Sequence, residues 1–379
     1  MPARARASAG FGKSFEQGTK RLSAWLLAKI SASRKKRIAP GSRTDGYKRI
    51  IVIRQHNQFG DVLCTVPLLR ALHNRFKPEE LAVVVSPQNR DALIGCPYVT
   101  NVISYDKLSF YRRPSLFVQF AKQLRKGYDI LLVPSNVSIS LTNDIMAFFV
   151  QASTKIGPRS LEAKSNRTSS VYDVAVDLRW DDKPVHQSFR NMKVASPLGV
   201  ESIDDVGELE YSVDEALVAE VRELLTRTGG DGSRRVAVHA GAGKVGNRWN
   251  VESFSSLCEK LHGKAGASLY FTEGQMDHEV MDRLISLLKV PYVRLRDRTI
   301  PFVAAFLKEM DMVLTNDTGI MHLAAAVGTP TLSLFGPTDP LQWAPLGSKH
   351  RFILGRGGDV NSIEVAKVFN LAKKILMRK

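Results

Sequence analysis

The sequence predicts an α/β protein built from two parallel-sheet domains in tandem. Three observations carry that prediction. At 379 residues the chain exceeds what one hydrophobic core ordinarily organises. Its strands read as unbroken Val, Ile and Leu runs between stretches of helical periodicity, as when helices cover both faces of a sheet. That pattern lapses at a polar stretch, "ESIDDVGELEYS" (201–212), and then begins again. Composition agrees: 44% apolar and 24% charged residues belong to a globular chain. No apolar run reaches the roughly 20 residues needed to cross a bilayer.

The first 48 residues stand apart. Residues 1–43 hold eleven Lys and Arg against one acid, Glu16, so eleven less one gives +10 of the net +17. Phe11, Phe15, Leu22, Leu26 and Ile30 recur at spacings of four and seven, and Arg34, Lys35, Lys36 and Arg37 follow as a block. This arm suits a basic amphipathic helix on an anionic membrane surface, a disordered basic arm, or an organelle transit peptide. "GFGKS" (10–14) is no phosphate loop, because Ala7 stands where the motif needs glycine and no strand precedes it. Nucleic-acid binding would explain the charge, but no recognition module accompanies it.

Residues 49–200 form the first expected domain. "RIIVIR" (49–54), "LAVVVS" (81–86), "NVISY" (101–105) and "YDILLVP" (128–134) are its strands, "PLLRALHNRF" is helical, and "VHQSFRNMKVASPLGV" (185–200) closes it as a helix. Residues 201–345 form the second, opened by a capping box of Ser212 and Glu215. Its strands are "RRVAVHA" (234–240), "ASLYFTE" (267–273), "YVRLR" and "DMVLTN" (311–316), with helices between. A tail, 346–379, ends in the helix "SIEVAKVFNLAKKILM". Cys64, Cys96 and Cys258 are widely spaced without a CxxC, as expected of buried thiols in a reducing compartment.

Ligands of open α/β sheets sit at the carboxyl ends of the strands, so the strand-to-helix turns deserve weighing. "TNDTGIMHLAAAVG" (315–328) sets Asp317, Thr318 and Gly319 at such a turn, with His322 one helical turn further. Gly319 permits close backbone approach, and the free amides suit an anion such as a diphosphate. The plainer alternative is an N-cap with a core histidine. "HAGAGKVGNRW" (239–249) supplies Gly241, Gly243, Lys244 and Arg248, which can wrap phosphates with amides and cations. "RQHNQFGDVLCTVP" (54–67) places Gly60 and Asp61 at the turn after the first strand. Asp61 can take a proton from an incoming hydroxyl or simply cap the helix.

These residues resemble glycosyltransferase family 9, the heptosyltransferases of bacterial lipopolysaccharide core assembly. Thr315–Gly319, Met321, His322, Ala324–Ala326, Gly328–Pro330 and Leu334–Thr338 look like its signature, and "IIVIRQHNQFGDVLCTVPLLRAL" and "VAVHAGAGKVGNRW" resemble its other two turns. The resemblance implies a GT-B fold, two Rossmann-like domains facing across a cleft. The first would bind the acceptor and the second the nucleotide-sugar, with the last helix packing back on the first. Asp61 would be the general base, Asp317 would meet sugar hydroxyls, and Thr318 and Gly319 would give amides to the diphosphate. His322 would lie beside them and Thr299 near the nucleotide base. The implied reaction moves heptose, or a related sugar, from an ADP-sugar donor to a hydroxyl of an anionic glycolipid, inverting the anomeric carbon. No cofactor or metal is implied beyond the nucleotide-sugar, and no Asp-x-Asp occurs. The basic arm would hold the enzyme peripherally on the cytoplasmic face of the inner membrane. Three departures bear on substrate identity: Asn247 where the family usually carries lysine, Asn250 where it has proline, and Gln55–Gln58 before the Gly-Asp turn. A nucleotide-sugar epimerase and a catalytically silent nucleotide-sugar-binding scaffold remain alternatives.

Overall fold

The computed structural model describes residues 27–31, 46–55, 58–135, 137–180, 184–200, 208–228 and 234–377. Most of the basic arm, His56, Asn57 and the linker residues 201–207 therefore lie outside the described residues. Of the arm, residues 27–31 are helical, and Leu27 is buried in the first domain's core. There Ser31 Oγ lies 2.7 Å from Ser170 Oγ.

The first domain runs β1 (Arg49–Ile53), α1 (Phe59–Leu63), α2 (Val66–Phe76), β2 (Glu80–Val85), α3 (Asp91–Ile94), β3 (Asn101–Ser104), α4 (Lys107–Arg112), α5 (Pro114–Leu124), β4 (Tyr128–Leu132), α6 (Leu141–Phe149), β5 (Ala152–Leu161), β6 (Lys164–Ser165), β7 (Val174–Leu178) and α7 (Gln187–Met192). Its parallel order is β3-β2-β1-β4-β5-β7, and the short β6 folds back antiparallel on β5. Ile50 to Ile53 are wholly buried, as strands covered on both faces must be.

The second domain runs α8 (Glu215–Arg227), β8 (Arg234–His239), α9 (Val251–Ala265), β9 (Ala267–Glu273), α10 (His278–Leu287), β10 (Tyr292–Arg296), α11 (Ile300–Lys308), β11 (Met312–Asn316), α12 (Gly319–Ala326), β12 (Thr331–Phe335), α13 (Pro340–Trp343), β13 (Arg351–Leu354) and α14 (Val365–Leu376). Its six strands are all parallel in the order β10-β9-β8-β11-β12-β13. Both sheets thus reverse direction of winding beside their first strand, between β1 and β4 and between β8 and β11. Such switch points open the crevice where these folds bind ligands.

Several expectations need correction. The last helix does not pack back on the first domain. Val368, Ala372 and Leu376 of α14 bury against Val251, Phe254, Leu257 and Leu261 of α9 in the second domain's own core. Since β13 pairs with β12, that domain also continues past residue 345. The cap of α8 is Asp214, which accepts from Ala216 N at 2.9 Å, instead of Ser212, whose amide donates to Gly95 O at 2.6 Å. The helix expected over 185–200 is α only through Met192 and tightens to a 3₁₀ turn over Lys193–Leu198, where Pro197 removes an amide donor. β5 and β7 escaped the sequence reading because Lys155, Pro158 and Asp177 interrupt their apolar pattern.

The seam between the domains is apolar. One continuous core cluster includes Val62 and Leu63 of α1, Leu93 of α3, Phe302 and Phe306 of α11, and Leu323 and Ala324 of α12. Leu209 and Tyr211, from the end of the stretch expected to be a linker, are buried in the same cluster, and Tyr211 N donates to Ala326 O at 2.9 Å.

Candidate active site between the two domains

β8 and β11 lie in register, Thr315 beside His239, so the turns that follow them are neighbours. A fully buried Asn316 stitches these turns together. Its Nδ2 donates to Ala240 O at 2.8 Å, and its Oδ1 accepts from Trp249 N at 3.1 Å. The Trp249 indole is itself anchored, donating from Nε1 to Ile363 O at 3.1 Å. The glycine-rich loop is therefore a fixed structure. Arg248 Nε donates back to Ala242 O at 2.8 Å, which ties that guanidinium to its own loop. A side chain at Gly241 would collide with the Asp277 carboxylate, whereas Gly243 borders open space.

Asp317 meets this loop. Asn247 Nδ2 donates to Asp317 Oδ2 at 2.9 Å and lies 3.4 Å from Thr338 Oγ1. Burial raises the Asp317 pKa, opposed by the Thr338 hydroxyl and the Lys244 charge. Lys244 itself is exposed, so the loop presents a cation at its rim and an amide at its floor. Thr318 caps α12, accepting from Ile320 N at 3.2 Å. This is the plain capping role weighed for the turn, and it leaves the backbone amides around Gly319 pointing away from the helix.

The first domain closes against this turn. A Cβ at Gly319 would stand 3.0 Å from Phe59 Cδ1, 3.3 Å from Phe59 Cβ and 3.6 Å from Gly60 N. A Cβ at Gly60 would stand 2.6 Å from His322 Cδ2. Two glycines, one on each domain, thus let α1 and α12 touch. The room that Gly319 provides is occupied by Phe59. Asp61 follows on α1, 2% exposed, its Oδ2 3.9 Å from Nη2 of the fully buried Arg54. Burial lowers the Arg54 pKa and the Asp61 charge opposes it. Thr65, one turn on, accepts from Arg54 Nε at 3.2 Å. Cys64 Sγ lies 3.7 Å from His322 Nδ1, and after burial the charges of Asp61, Arg54 and Asp317 act on its thiol, whose pKa is raised. One buried thiol therefore feels carboxylates from both domains. All three cysteines are buried, as expected.

Two histidines line the same seam. Burial lowers His322 to about 3, with the neighbouring His186 as a lesser cause. His186, lowered to about 4 by burial, accepts from Ser188 N at Nδ1 (3.2 Å) and lies 3.0 Å from Ala344 O at Nε2. The first contact needs an unprotonated Nδ1, which puts the proton on Nε2 for donation to Ala344. This bond joins the segment before α7 to the second domain. The ring of His322 stands edge-on to Trp343, centroids 6.3 Å apart.

A cavity of about 340 Å³ opens in the first domain, lined by Ser138, Asp144, Lys164, Asn166, Arg167 and Thr168 among others. It lies beside the turn after β4, the strand paired with β1, and so at the same end of the sheet as Asp61. Asp144 at its base accepts from the Thr168 and Tyr172 hydroxyls, and burial raises its pKa.

The structure thus brings Asp317, Lys244 and the 241–248 loop together, and sets Gly60 and Asp61 against Gly319 and His322. Thr299 stands apart as the cap of α11 beyond the edge strand β10, accepting from Phe302 N at 3.4 Å. Asn247, Asn316, Phe59, His186 and the Lys164–Thr168 hairpin were not identified as site residues in the sequence. A usable signal existed for Asn316, an amide ending an otherwise apolar strand; the others are assembled only by the fold.

Residues 117–370 match the family model of glycosyltransferase family 9 (heptosyltransferase). Lipopolysaccharide heptosyltransferase 3 of Escherichia coli is 25% identical over 293 residues, covering 76% of this chain and 83% of that protein. Among solved structures, a family 9 glycosyl transferase from Veillonella parvula DSM 2008 superposes with a TM-score of 0.77 at 19% identity, covering 89% of this chain and 100% of that one. The E. coli heptosyltransferase WaaC with ADP superposes with a TM-score of 0.68 at 19% identity, covering 86% and 99%.

Proposed function

This chain belongs to glycosyltransferase family 9, and from that premise we propose that it transfers a heptose, or a related sugar, from an ADP-sugar to a hydroxyl of a lipopolysaccharide core-type acceptor. One observation carries the reading. The turn bearing Asp61 and the turn bearing Asp317, Thr318 and Gly319 come from different domains and meet at α1 and α12. An acid and an anion-binding turn on facing walls are what displacement of a diphosphate by a hydroxyl requires.

In this reading the donor diphosphate lies at the amides of Thr318 and Gly319, at the amino end of α12, where the helix dipole favours negative charge. Lys244 supplies a cation at the loop rim. Asp317, held by Asn247, accepts hydroxyls of the sugar. The acceptor oxygen attacks the anomeric carbon on the face opposite the diphosphate while Asp61 takes its proton. The carbon–oxygen bond to ADP breaks and ADP departs with the electron pair, which inverts the anomeric centre. The cationic cavity holding Lys164 and Arg167 is suited to an anionic part of the acceptor. The E. coli heptosyltransferase WaaC was solved with ADP, which supports an adenine nucleotide here. Membership of a transferase family leaves the epimerase reading without support of its own.

The enzyme would act peripherally on the cytoplasmic face of the inner membrane. No helix among the described residues is long and apolar enough to cross a membrane. A deletion testing the arm would also remove Leu27 from the core. Replacing Arg34, Lys35, Lys36 and Arg37 by glutamine avoids this and is expected to shift the protein toward the soluble fraction. An unaltered distribution discards a role for that block.

The central test joins binding to turnover. Thermal shifts with ADP-, UDP- and GDP-sugars identify the nucleotide, and Asp61→Asn is expected to lower turnover about 10²- to 10⁴-fold with donor affinity nearly intact. Loss of nucleotide affinity instead, or unchanged turnover, removes Asp61 from the role of base.

A further inference from the structure

We propose that α4 and α5 form a preformed interfacial patch that seats the first domain on an anionic lipid surface. Four apolar side chains in these helices face solvent: Leu108 at 74% exposure, Tyr111 at 90%, Phe117 at 53% and Val118 at 51%. Large apolar groups clustered this way mark an interaction surface, where singly scattered ones would not. Their setting identifies the partner. Residues 107–126 contain Lys107, Arg112, Arg113, Lys122, Arg125 and Lys126 and no Asp or Glu. Lys126 is engaged by Glu80 at 3.2 Å, which leaves five cations among the exposed apolar groups.

On α5 the buried residues are Phe120 and Leu124; Phe117 begins the same stripe, half exposed at its open end, while Val118, Lys122 and Arg125 lie on the outward arc. An acidic protein face could satisfy the cations. The interleaving of long basic side chains with Tyr, Phe and Leu fits better where phosphates overlie acyl chains, because each layer meets its own chemistry. The helices are not loose flaps. Phe110 and Phe120 lie tilted with ring centroids 5.1 Å apart, Tyr105 and Phe120 likewise at 5.4 Å, and Phe110 meets Phe117 edge-on at 5.7 Å. Asp106 caps α4, accepting from Leu108 N and Ser109 N at 3.1 Å each. The inward aromatics therefore fix the outward ones in place, with no folding cost left for the moment of docking.

Position adds the functional point. α4 follows the carboxyl end of β3, which is parallel to β1 through β2. α4 and the start of α5, with Leu108, Tyr111, Arg112, Arg113 and Phe117, thus lie at the same end of the sheet as Asp61, and α5 runs back from there toward the start of β2, where Lys126 meets Glu80. A lipid-linked acceptor would enter from the surface on which the patch sits, a consequence that rests on the transferase reading, while the docking itself does not. One basic signal alone binds membranes weakly and reversibly, so an apolar patch and a charged arm acting together form a sensible pair.

The test uses the full-length chain with vesicles of phosphatidylcholine, with and without phosphatidylglycerol. The wild type is expected to sediment with the anionic vesicles and not with the neutral ones. Tyr111→Ser with Phe117→Ser, and separately Arg112→Glu with Arg113→Glu, should each reduce that partition at least about tenfold, since one basic side chain near such a surface is worth roughly fivefold. ADP-induced thermal shift and transfer to a delipidated, soluble acceptor should match the wild type, which establishes that the variants are folded. The proposal is overturned if the wild type shows no preference for anionic vesicles, or if both variants partition like it. It is equally overturned if light scattering finds a dimer that the variants dissociate without any change in vesicle binding. Absence of sugar transfer by the wild type, with partition intact, would sink the transferase reading and still support the patch.

Discussion

Gly319 carries a steric constraint at the seam whose effect is readable in a double substitution. Valine there would press on Phe59, whose Cδ1 lies only 3.0 Å from the ideal Cβ. The expected cost is about 1–3 kcal/mol from overpacking between domains. Phe59→Ala in the same chain should recover part of it, giving a coupling above about 0.5 kcal/mol in denaturant unfolding. Additive effects would mean that the two residues do not meet. Asp61 needs a similar precaution. Because Arg54 is fully buried beside it, Asp61→Asn removes an opposing charge and is expected to destabilise by up to about 3 kcal/mol. Turnover must therefore be expressed per folded enzyme, or lost stability will pass for lost catalysis.

At the scale of elements, the loop between β8 and α9 depends on a strand it does not belong to. Asn316 at the end of β11 holds Ala240 O and Trp249 N, the two ends of that loop. Asn316→Ala leaves the Trp249 amide short of a buried acceptor, a loss of about 1–3 kcal/mol. The loop should also loosen and ADP affinity fall, measured by calorimetry alongside urea unfolding. Retained affinity in a destabilised protein would detach the loop from nucleotide binding. The strands with apolar runs, β1, β2, β4, β8, β9 and β11, were legible because their successive apolar side chains are buried on both faces of the sheet. β5 was not, since Lys155 sends its ammonium to Ala147 O at 2.7 Å and Pro158 O accepts from Asn166 Nδ2, each partner eight positions away and outside the strand. The alternation of apolar residues within a strand carries no trace of partners in the flanking helix and hairpin.

For the whole molecule, the histidines at the seam impose a pH dependence. His186 and His322 titrate near 4 and 3 when folded, lowered chiefly by burial from an ordinary 6.5. A group depressed in this direction contributes its stability above pH 6.5 and loses it as the pH falls toward the folded value. Each should therefore cost about 2 kcal/mol between pH 7 and pH 5. His350, also lowered to about 4, acts in the same direction. Urea midpoints should drop over that interval, and His186→Asn should flatten the drop. An identical slope in that variant would show that proton uptake by His186 does not carry the pH dependence.

The sequence by itself determined the two-sheet architecture, the strand-to-helix turns that hold Asp61 and Asp317, and the family, because period, strand composition and short glycine turns are local quantities. Tertiary structure alone decided what those turns face. Phe59 fills the space beside Gly319, Asn247 reaches Asp317 across 70 positions of chain, and α14 covers α9 instead of the first domain. Each outcome follows from long-range packing, in which an apolar face settles against whichever surface buries it best. No window of neighbouring residues encodes that choice.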